Sequence, residues 1–237
     1  MTGRFYFRQL LAGRDFAVGD PVATQMVNFV YALGDRQTGD AVLVDPAYRP
    51  GEIVSLVEAD GMRVTGVLAT HFHADHVGGD LVGHEIAGIA ELLETNDVPI
   101  HVQADEVEWI LKRTGVGADA LVAHQSGDQL AVGGLDITLI HTPGHTPGSQ
   151  CFLADGRLIS GDTLFLEGCG RTDLPGSDPE EMYVTLSQRL SRVSDDTVLF
   201  PGHFYSASPS APMGEVRGYN AVLAPSTPEQ WLAMFTR

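Results

Sequence analysis

Short apolar runs, and runs in which apolar and polar residues alternate, dominate the first 70 positions of the chain. Such runs are typical of β-strands, and they occur in RFYFRQL, in MVNFVYALG and in DAVLVDP, where Val42–Val44 form a buried-strand pattern that Pro46 ends. Apolar residues at helical spacing predict a helix from Gly51 to Asp60. The segment VTGVLAT then reads as a second buried strand. The first third of the chain therefore predicts a sheet with a covering helix.

The rest of the chain alternates between helical and strand patterns. The spacing is helical from Leu81 to Gly127, with one distinct helix expected from Ala104 to Arg113 after the short strand PIHV. Strand patterns return in LDITLIH, SQCFLAD and RLISGD. A helix is predicted from Pro179 to Arg192, followed by the strand TVLF and two weaker helical segments. This order suits a four-layered αββα sandwich, although periodicity alone also supports other mixed α/β arrangements.

Composition narrows the class of protein. The 237 residues are 43% hydrophobic, which permits a substantial core, and we take residues 1–237 as a single domain. No apolar run is long enough to cross a membrane, and the N-terminus lacks the pattern of a secretory signal, so we expect a cytoplasmic protein without membrane association. The formal net charge of −17 opposes binding to nucleic acid. A homodimer is compatible with the sequence.

The candidate chemistry begins in THFHADHVGG, directly after a predicted strand. His71 and His73 alternate along extended backbone, so both imidazoles can point to one side, while Asp75 and His76 follow on the turn. Three further ligand-type residues each lie beside a strand and a glycine: His145 in HTPGHTPGS, Asp162 in LISGDTLF and His203 in LFPGHFY. Imidazole and carboxylate groups suit zinc, iron or manganese, and a carboxylate such as Asp162 can bridge two ions.

These motifs resemble a known family. HFHADH matches the HxHxDH signature of the metallo-beta-lactamase superfamily, and the later histidines and aspartate follow in that superfamily's order over nearly the whole chain. The resemblance implies the αββα four-layer sandwich and two divalent metal ions, with zinc favoured and iron the alternative. The implied ligands are His71, His73 and His145 for the first metal, Asp75, His76 and His203 for the second, and Asp162 shared between them.

Two branches of the superfamily compete for the function. SGDTLF, GRTDLPGSD and FPGH resemble glyoxalase II-like hydrolases, which implies hydrolysis of a thioester or related ester of a small thiol-derived substrate by a metal-bound hydroxide, which Asp75 would help to orient. Only 34 residues follow His203, however, so we do not expect the C-terminal helical domain of full-length glyoxalase II, and hydroxyacylglutathione is not the favoured substrate. A true beta-lactamase is also disfavoured, because those enzymes typically carry cysteine or serine at the position of Asp162.

The alternative is a persulfide dioxygenase, which YALGDRQTGDAVLVDP and GCGRTD resemble. That resemblance implies a single Fe(II) held by His71, His145 and Asp162, leaving coordination positions for oxygen and a thiol persulfide. PGHFY and the long segment LVGHEIAGIAELLETNDVPIH depart from that family, so the hydrolase is favoured. A non-catalytic metal-binding protein would be expected to have a broken ligand set, and this set is complete.

Three residues outside the ligand set are also candidates. Arg171, in GCGRTD, is predicted to bind a substrate carboxylate, with an ion pair to Asp173 as the alternative. Tyr205 is predicted to contact substrate, with simple packing as the alternative. Asp45, at the end of AVLVDP, is predicted to orient a ligating histidine without binding metal itself.

Overall fold

The protein is described by a computed structural model that covers residues 3–235. The strands are β1 Phe5–Leu11, β2 Phe29–Asp35, β3 Asp40–Val44, β4 Arg63–Leu68, β5 Gly79–Leu81, β6 His84–Ile86, β7 Ile100–Gln103, β8 Leu121–His124, β9 Gln129–Val132, β10 Leu135–His141, β11 Gln150–Ala154, β12 Arg157–Gly161, β13 Val198–Pro201 and β14 Ala211–Pro212. The helices are α1 Pro21–Met26, α2 Pro50–Ala59, α3 Ala74–Val77, α4 Ile89–Leu93, α5 Val107–Thr114, α6 Pro179–Val184, α7 Met213–Tyr219 and α8 Pro228–Leu232.

Two six-stranded sheets form the centre of the molecule. Their strand orders are β1-β2-β3-β4-β7-β8 and β14-β13-β12-β11-β10-β9, and β5 pairs with β6 in a separate hairpin. Strands β3, β4, β7 and β8 run parallel, as do β12 and β13, while the other pairs are antiparallel. The parallel strands of each sheet therefore end at one edge, where loops can bring side chains together.

Strand β2 shows why the sheets lie between helices, because all seven of its residues are buried. Phe29, Tyr31 and Leu33 pack between the two sheets, against Phe152 and other residues of the second sheet. Val30 and the alternate residues pack on the opposite face, in the core that includes helix α2. A third core covers the outer face of the second sheet with helices α6, α7 and α8. The αββα sandwich expected from the sequence is confirmed.

Several element boundaries agree with the sequence, and one region differs. Helix α2 lies within one residue of the predicted helix, and the segment from Pro179 is helical to Arg192, although its second half changes to π and 3-10 geometry. The helical prediction between Leu81 and Gly127 is wrong at both ends. Its beginning is the hairpin of β5 and β6, and its end contains the edge strand β8. Tertiary pairing outweighs local propensity in these short segments.

Candidate metal centre

The loops that leave the strand ends bring all seven predicted ligands to one place. His71 and His73 follow β4, and helix α3 carries Asp75 and His76. The remaining three follow β10, β12 and β13 of the second sheet and are His145, Asp162 and His203. Both sheets thus contribute predicted ligands to the centre.

Three histidines form the first half of the centre. Nε2 of His71 and Nε2 of His145 lie 3.1 Å and 3.0 Å from Nδ1 of His73. Zinc–nitrogen bonds of about 2.0–2.1 Å at tetrahedral angles place ligand nitrogens about 3.4 Å apart, so these spacings suit one cation. The three side chains are among the groups whose ligand atoms lie within 4.8 Å of one another.

The hydrogen bonds of the outer ring nitrogens show which nitrogen of each imidazole is left to bind a metal ion. Nδ1 of His145 donates to the backbone carbonyl of Arg171 at 2.7 Å, and Nδ1 of His203 donates to that of Met26 at 2.7 Å. Nδ1 of His71 lies 2.9 Å from the hydroxyl of Thr70. Since each outer nitrogen carries the proton, each Nε2 presents a lone pair to the centre.

Asp45 contacts His76, as the orienting role predicted from the sequence requires. Its Oδ2 lies 2.9 Å from Nδ1 of His76, and its two oxygens accept from the backbone N–H and the hydroxyl of Thr70 at 2.8 Å and 2.6 Å. Its backbone φ of 53° is left-handed, which is uncommon for a residue other than glycine. The carboxylate therefore holds His76 directly and His71 through the Thr70 hydroxyl.

The second half of the centre combines two histidines and a carboxylate. Nε2 of His76 lies 3.2 Å from Nε2 of His203, and Oδ2 of Asp75 lies 3.5 Å and 3.4 Å from these two nitrogens. Asn28, which the sequence analysis did not single out, donates to Oδ2 of Asp75 at 3.0 Å. Tyr48 donates in turn to the amide oxygen of Asn28 at 2.8 Å.

Asp162 lies between the two halves. Its Oδ2 is 3.7 Å from Nε2 of His145, and its Oδ1 is 3.4 Å from Nε2 of His76 and from Nε2 of His203. Oδ1 is buried and has no hydrogen-bond partner. A buried carboxylate oxygen without a partner is costly unless a cation balances it. The residues present therefore fit two divalent cations with Asp162 placed to contact both.

The electrostatics of the two halves differ. Burial and the neighbouring imidazoles lower the pKa of His71, and burial lowers the pKa of His73 to about 3, so the first half favours neutral imidazoles. Burial also acts on His76, but the carboxylates of Asp75 and Asp162 outweigh it and raise the pKa of this histidine. The second half thus attracts positive charge, whether a proton or a metal ion.

Close backbone approach explains two glycines in the ligand loops. A Cβ at Gly202 would overlap Oδ1 of Asp162, and a Cβ at Gly170 would overlap the backbone carbonyl of Asp162 and lie 2.8 Å from Nδ1 of His145. A side chain at either position would displace a ligand. The glycines in FPGH and GCGRTD are therefore required by the packing of the centre.

Glu106, which the sequence did not single out, supports the loops of the centre. Its buried carboxylate accepts from the backbone N–H of Phe72 at 2.7 Å, from the hydroxyl of Thr146 at 2.9 Å and from the backbone N–H of Gly148 at 2.7 Å. Phe72 lies between the first two histidine ligands, and Thr146 follows His145. Glu106 thus ties together the two loops that carry the first histidine triad.

A cavity of about 860 Å³ opens onto the centre, and Arg171 and Tyr205 both line it. The Arg171 guanidinium pairs with Asp173 at 2.9 Å, as in the alternative considered from the sequence, and its side chain is 67% exposed. The Tyr205 ring stacks on the ring of His203, with centroids 4.6 Å apart. Tyr205 therefore packs against a ligand and also faces the cavity, and the substrate role of both residues stays a prediction.

The fold and this centre define a class of protein. Residues 24–203 match the family model of the metallo-beta-lactamase superfamily, and the chain belongs to that superfamily. No helix within residues 3–235 is long and apolar enough to cross a bilayer.

Three relatives illustrate its place there. It is 33% identical over 196 residues to hydroxyacylglutathione hydrolase of Xanthomonas campestris pv. campestris, covering 83% of this chain and 68% of that protein. It is 30% identical over 187 residues to the probable polyketide biosynthesis zinc-dependent hydrolase BaeB of Bacillus velezensis, covering 78% and 77%. The crystal structure of ETHE1 from Myxococcus xanthus superposes with a TM-score of 0.79 at 26% identity, covering 97% and 89%.

Proposed function

We propose that this protein is a dinuclear metallohydrolase that cleaves a thioester or related ester. The observation that carries the proposal is the placement of Asp162 between two triads of ligands, with one buried oxygen that lacks a hydrogen bond. The similarity to hydroxyacylglutathione hydrolase and to a zinc-dependent hydrolase supports hydrolysis and favours zinc.

Bound in the two triads, divalent cations would supply hydroxide at neutral pH and polarise the scissile carbonyl. The chain's own residues position the reactants. Asn28, held by Tyr48, fixes the carboxylate of Asp75 at 3.0 Å, and we assign Asp75 the orientation of the attacking oxygen. Asp45 and the backbone carbonyls behind the histidines keep the imidazoles in place.

A thiol-derived leaving group suits this site, because a thiolate departs near neutral pH without strong general-acid assistance. Cys169 lines the cavity, but burial raises its pKa to about 12, so it stays protonated and does not act as a nucleophile. The chemistry is therefore assigned to the metal centre. We propose a small thiol-derived molecule as substrate.

The test combines metal analysis with a thioester assay on purified protein, in which release of free thiol is followed. We expect close to two metal ions per chain and hydrolysis that is lost in Asp162→Asn. Asp136→Asn, which changes an exposed aspartate on β10, is the matched control and should retain activity. A metal-loaded protein that releases no thiol from any thioester would contradict the proposal.

A second candidate is an iron-dependent persulfide dioxygenase. It is favoured by the position of GCGRTD, in which Gly170 packs against Asp162 and the carbonyl of Arg171 accepts from His145, and by the likeness to ETHE1. His71, His145 and Asp162 would be its iron ligands. This candidate predicts one iron per chain and oxygen consumption with a low-molecular-weight thiol persulfide. Iron-loaded protein that consumes no oxygen with that substrate would exclude it.

A further inference from the structure

The cavity wall carries as many basic as acidic side chains, three of each, which is unusual for this acidic chain. With 14 basic residues against 31 acidic ones, the protein has a single lysine, Lys112, and this residue lies on the cavity wall beside Arg113. Within residues 3–235, neither side chain forms an ion pair with a carboxylate, whereas eight arginines do, among them Arg171 of the same cavity. Two cations are thus left available to a ligand.

Helix α5 places these cations beside an aromatic surface. Trp109, Lys112 and Arg113 are three and four residues apart, so their side chains share one side of the helix. The Trp109 ring stacks on Phe72 with centroids 4.7 Å apart and an interplanar angle of 20°. Arg113 lies 5.7 Å from the centroid of the Phe72 ring and donates one hydrogen bond, at 2.8 Å, to the backbone carbonyl of Asp80.

The aromatic pair leads from the metal centre to the cations. Phe72 lies between His71 and His73, and all of these groups except His71 line the same cavity. A substrate whose reacting carbonyl is at the metals can therefore extend its remainder along Phe72 and Trp109. Lys112 is exposed and Arg113 is half-buried, so both can meet the far end of such a molecule. The third basic side chain of the cavity, Arg171, already has its charge balanced by Asp173.

We propose that Trp109, Lys112 and Arg113 form a subsite for the anionic end of the thiol carrier. The ligand class is a small thiol whose arm ends in a carboxylate or a phosphate. Both groups accept hydrogen bonds from ammonium and guanidinium, and the arm itself packs on the aromatic rings. This inference rests on the proposed function, since it describes the non-reacting part of that substrate.

The first experiment compares three thioesters with the same acyl group on metal-loaded protein. S-acetylglutathione carries carboxylates, acetyl-coenzyme A carries phosphates, and S-acetyl-N-acetylcysteamine is neutral. We expect Lys112→Gln to raise KM for at least one anionic thioester about tenfold with little change in kcat, since one charge-assisted hydrogen bond is lost. The neutral thioester should be unaffected. The anionic thioester that responds identifies carboxylate or phosphate.

Arg192→Gln is the matched control, because Arg192 is exposed, lies outside the cavity and gives the same change in net charge. Arg113→Lys tests whether the effect depends on the guanidinium, since it keeps the charge. Equal losses of kcat/KM for charged and neutral thioesters in Lys112→Gln, or no loss for either anionic substrate, would overturn the subsite.

The second experiment keeps the subsite testable if the protein hydrolyses no thioester. Calorimetry measures binding of glutathione, coenzyme A and N-acetylcysteamine to wild type and to Lys112→Gln. Preferential binding of an anionic thiol that weakens about tenfold in the variant supports the subsite even when the hydrolase proposal fails. Failure of both anionic thiols to bind better than the neutral one refutes it.

Discussion

Replacing Glu106 by glutamine tests how the first histidine triad is held together. The substitution keeps the size of the side chain and leaves one oxygen to accept from Phe72 and Thr146. The new amide group faces the backbone N–H of Gly148, which loses its acceptor. A buried donor without a partner costs about 1–3 kcal/mol, so we expect a loss of that size in the free energy of unfolding at pH 5.

The pH dependence of the stability difference between variant and wild type provides a second, independent test. Burial raises the pKa of Glu106 from 4.5 to about 7, against the lowering effect of its hydrogen bonds. Between these values the folded state holds a proton that the unfolded state releases, so rising pH removes stability from wild type, by about 3 kcal/mol in all. Glutamine does not titrate. The variant's deficit should therefore shrink, or reverse, between pH 4 and pH 8.

The assay is urea unfolding of metal-free protein across this pH range, with chelator present. Both proteins contain the same histidines, so the difference between their two profiles isolates Glu106. Glu108→Gln, an exposed position two residues further along the chain on helix α5, is the matched control and should follow wild type throughout. Parallel profiles for wild type and Glu106→Gln would contradict the raised pKa of this carboxylate.

Three further predictions concern the metal centre. Gly202→Ala should lower metal affinity, measured by competition with a chromophoric chelator, because its Cβ overlaps Oδ1 of Asp162; Gly218→Ala, where the space is open, is the control. Asp45→Asn should weaken metal binding about 10- to 100-fold, since His76 loses its charged partner, and unchanged affinity would contradict that role. Removal of metal by chelator should lower the melting temperature measured by calorimetry, and zinc should restore it, because a cation that binds only the folded state stabilises it.

The sequence alone predicted the ligand set and the type of fold, and the structure confirms the fold. The ligand motifs are local patterns: the histidine spacing in THFHADH, and a glycine next to each of His145, Asp162 and His203. Each motif follows a predicted strand, and the apolar run that predicts the strand is local as well. Local periodicity is what a single sequence displays most directly. The resemblance to the superfamily then implied which of these residues share a metal ion. The αββα sandwich confirms the expected architecture.

Only the tertiary structure decided which other residues support the centre. Glu106 meets its three partners across 34, 40 and 42 positions of the chain, and Asn28 reaches Asp75 across 47. No periodicity connects residues so far apart. The alignment of Trp109 and Lys112 with Phe72 likewise depends on how helix α5 packs beside the β4 loop. Such contacts arise from the packing of whole layers, because burial and hydrogen-bond partners are properties of the folded chain.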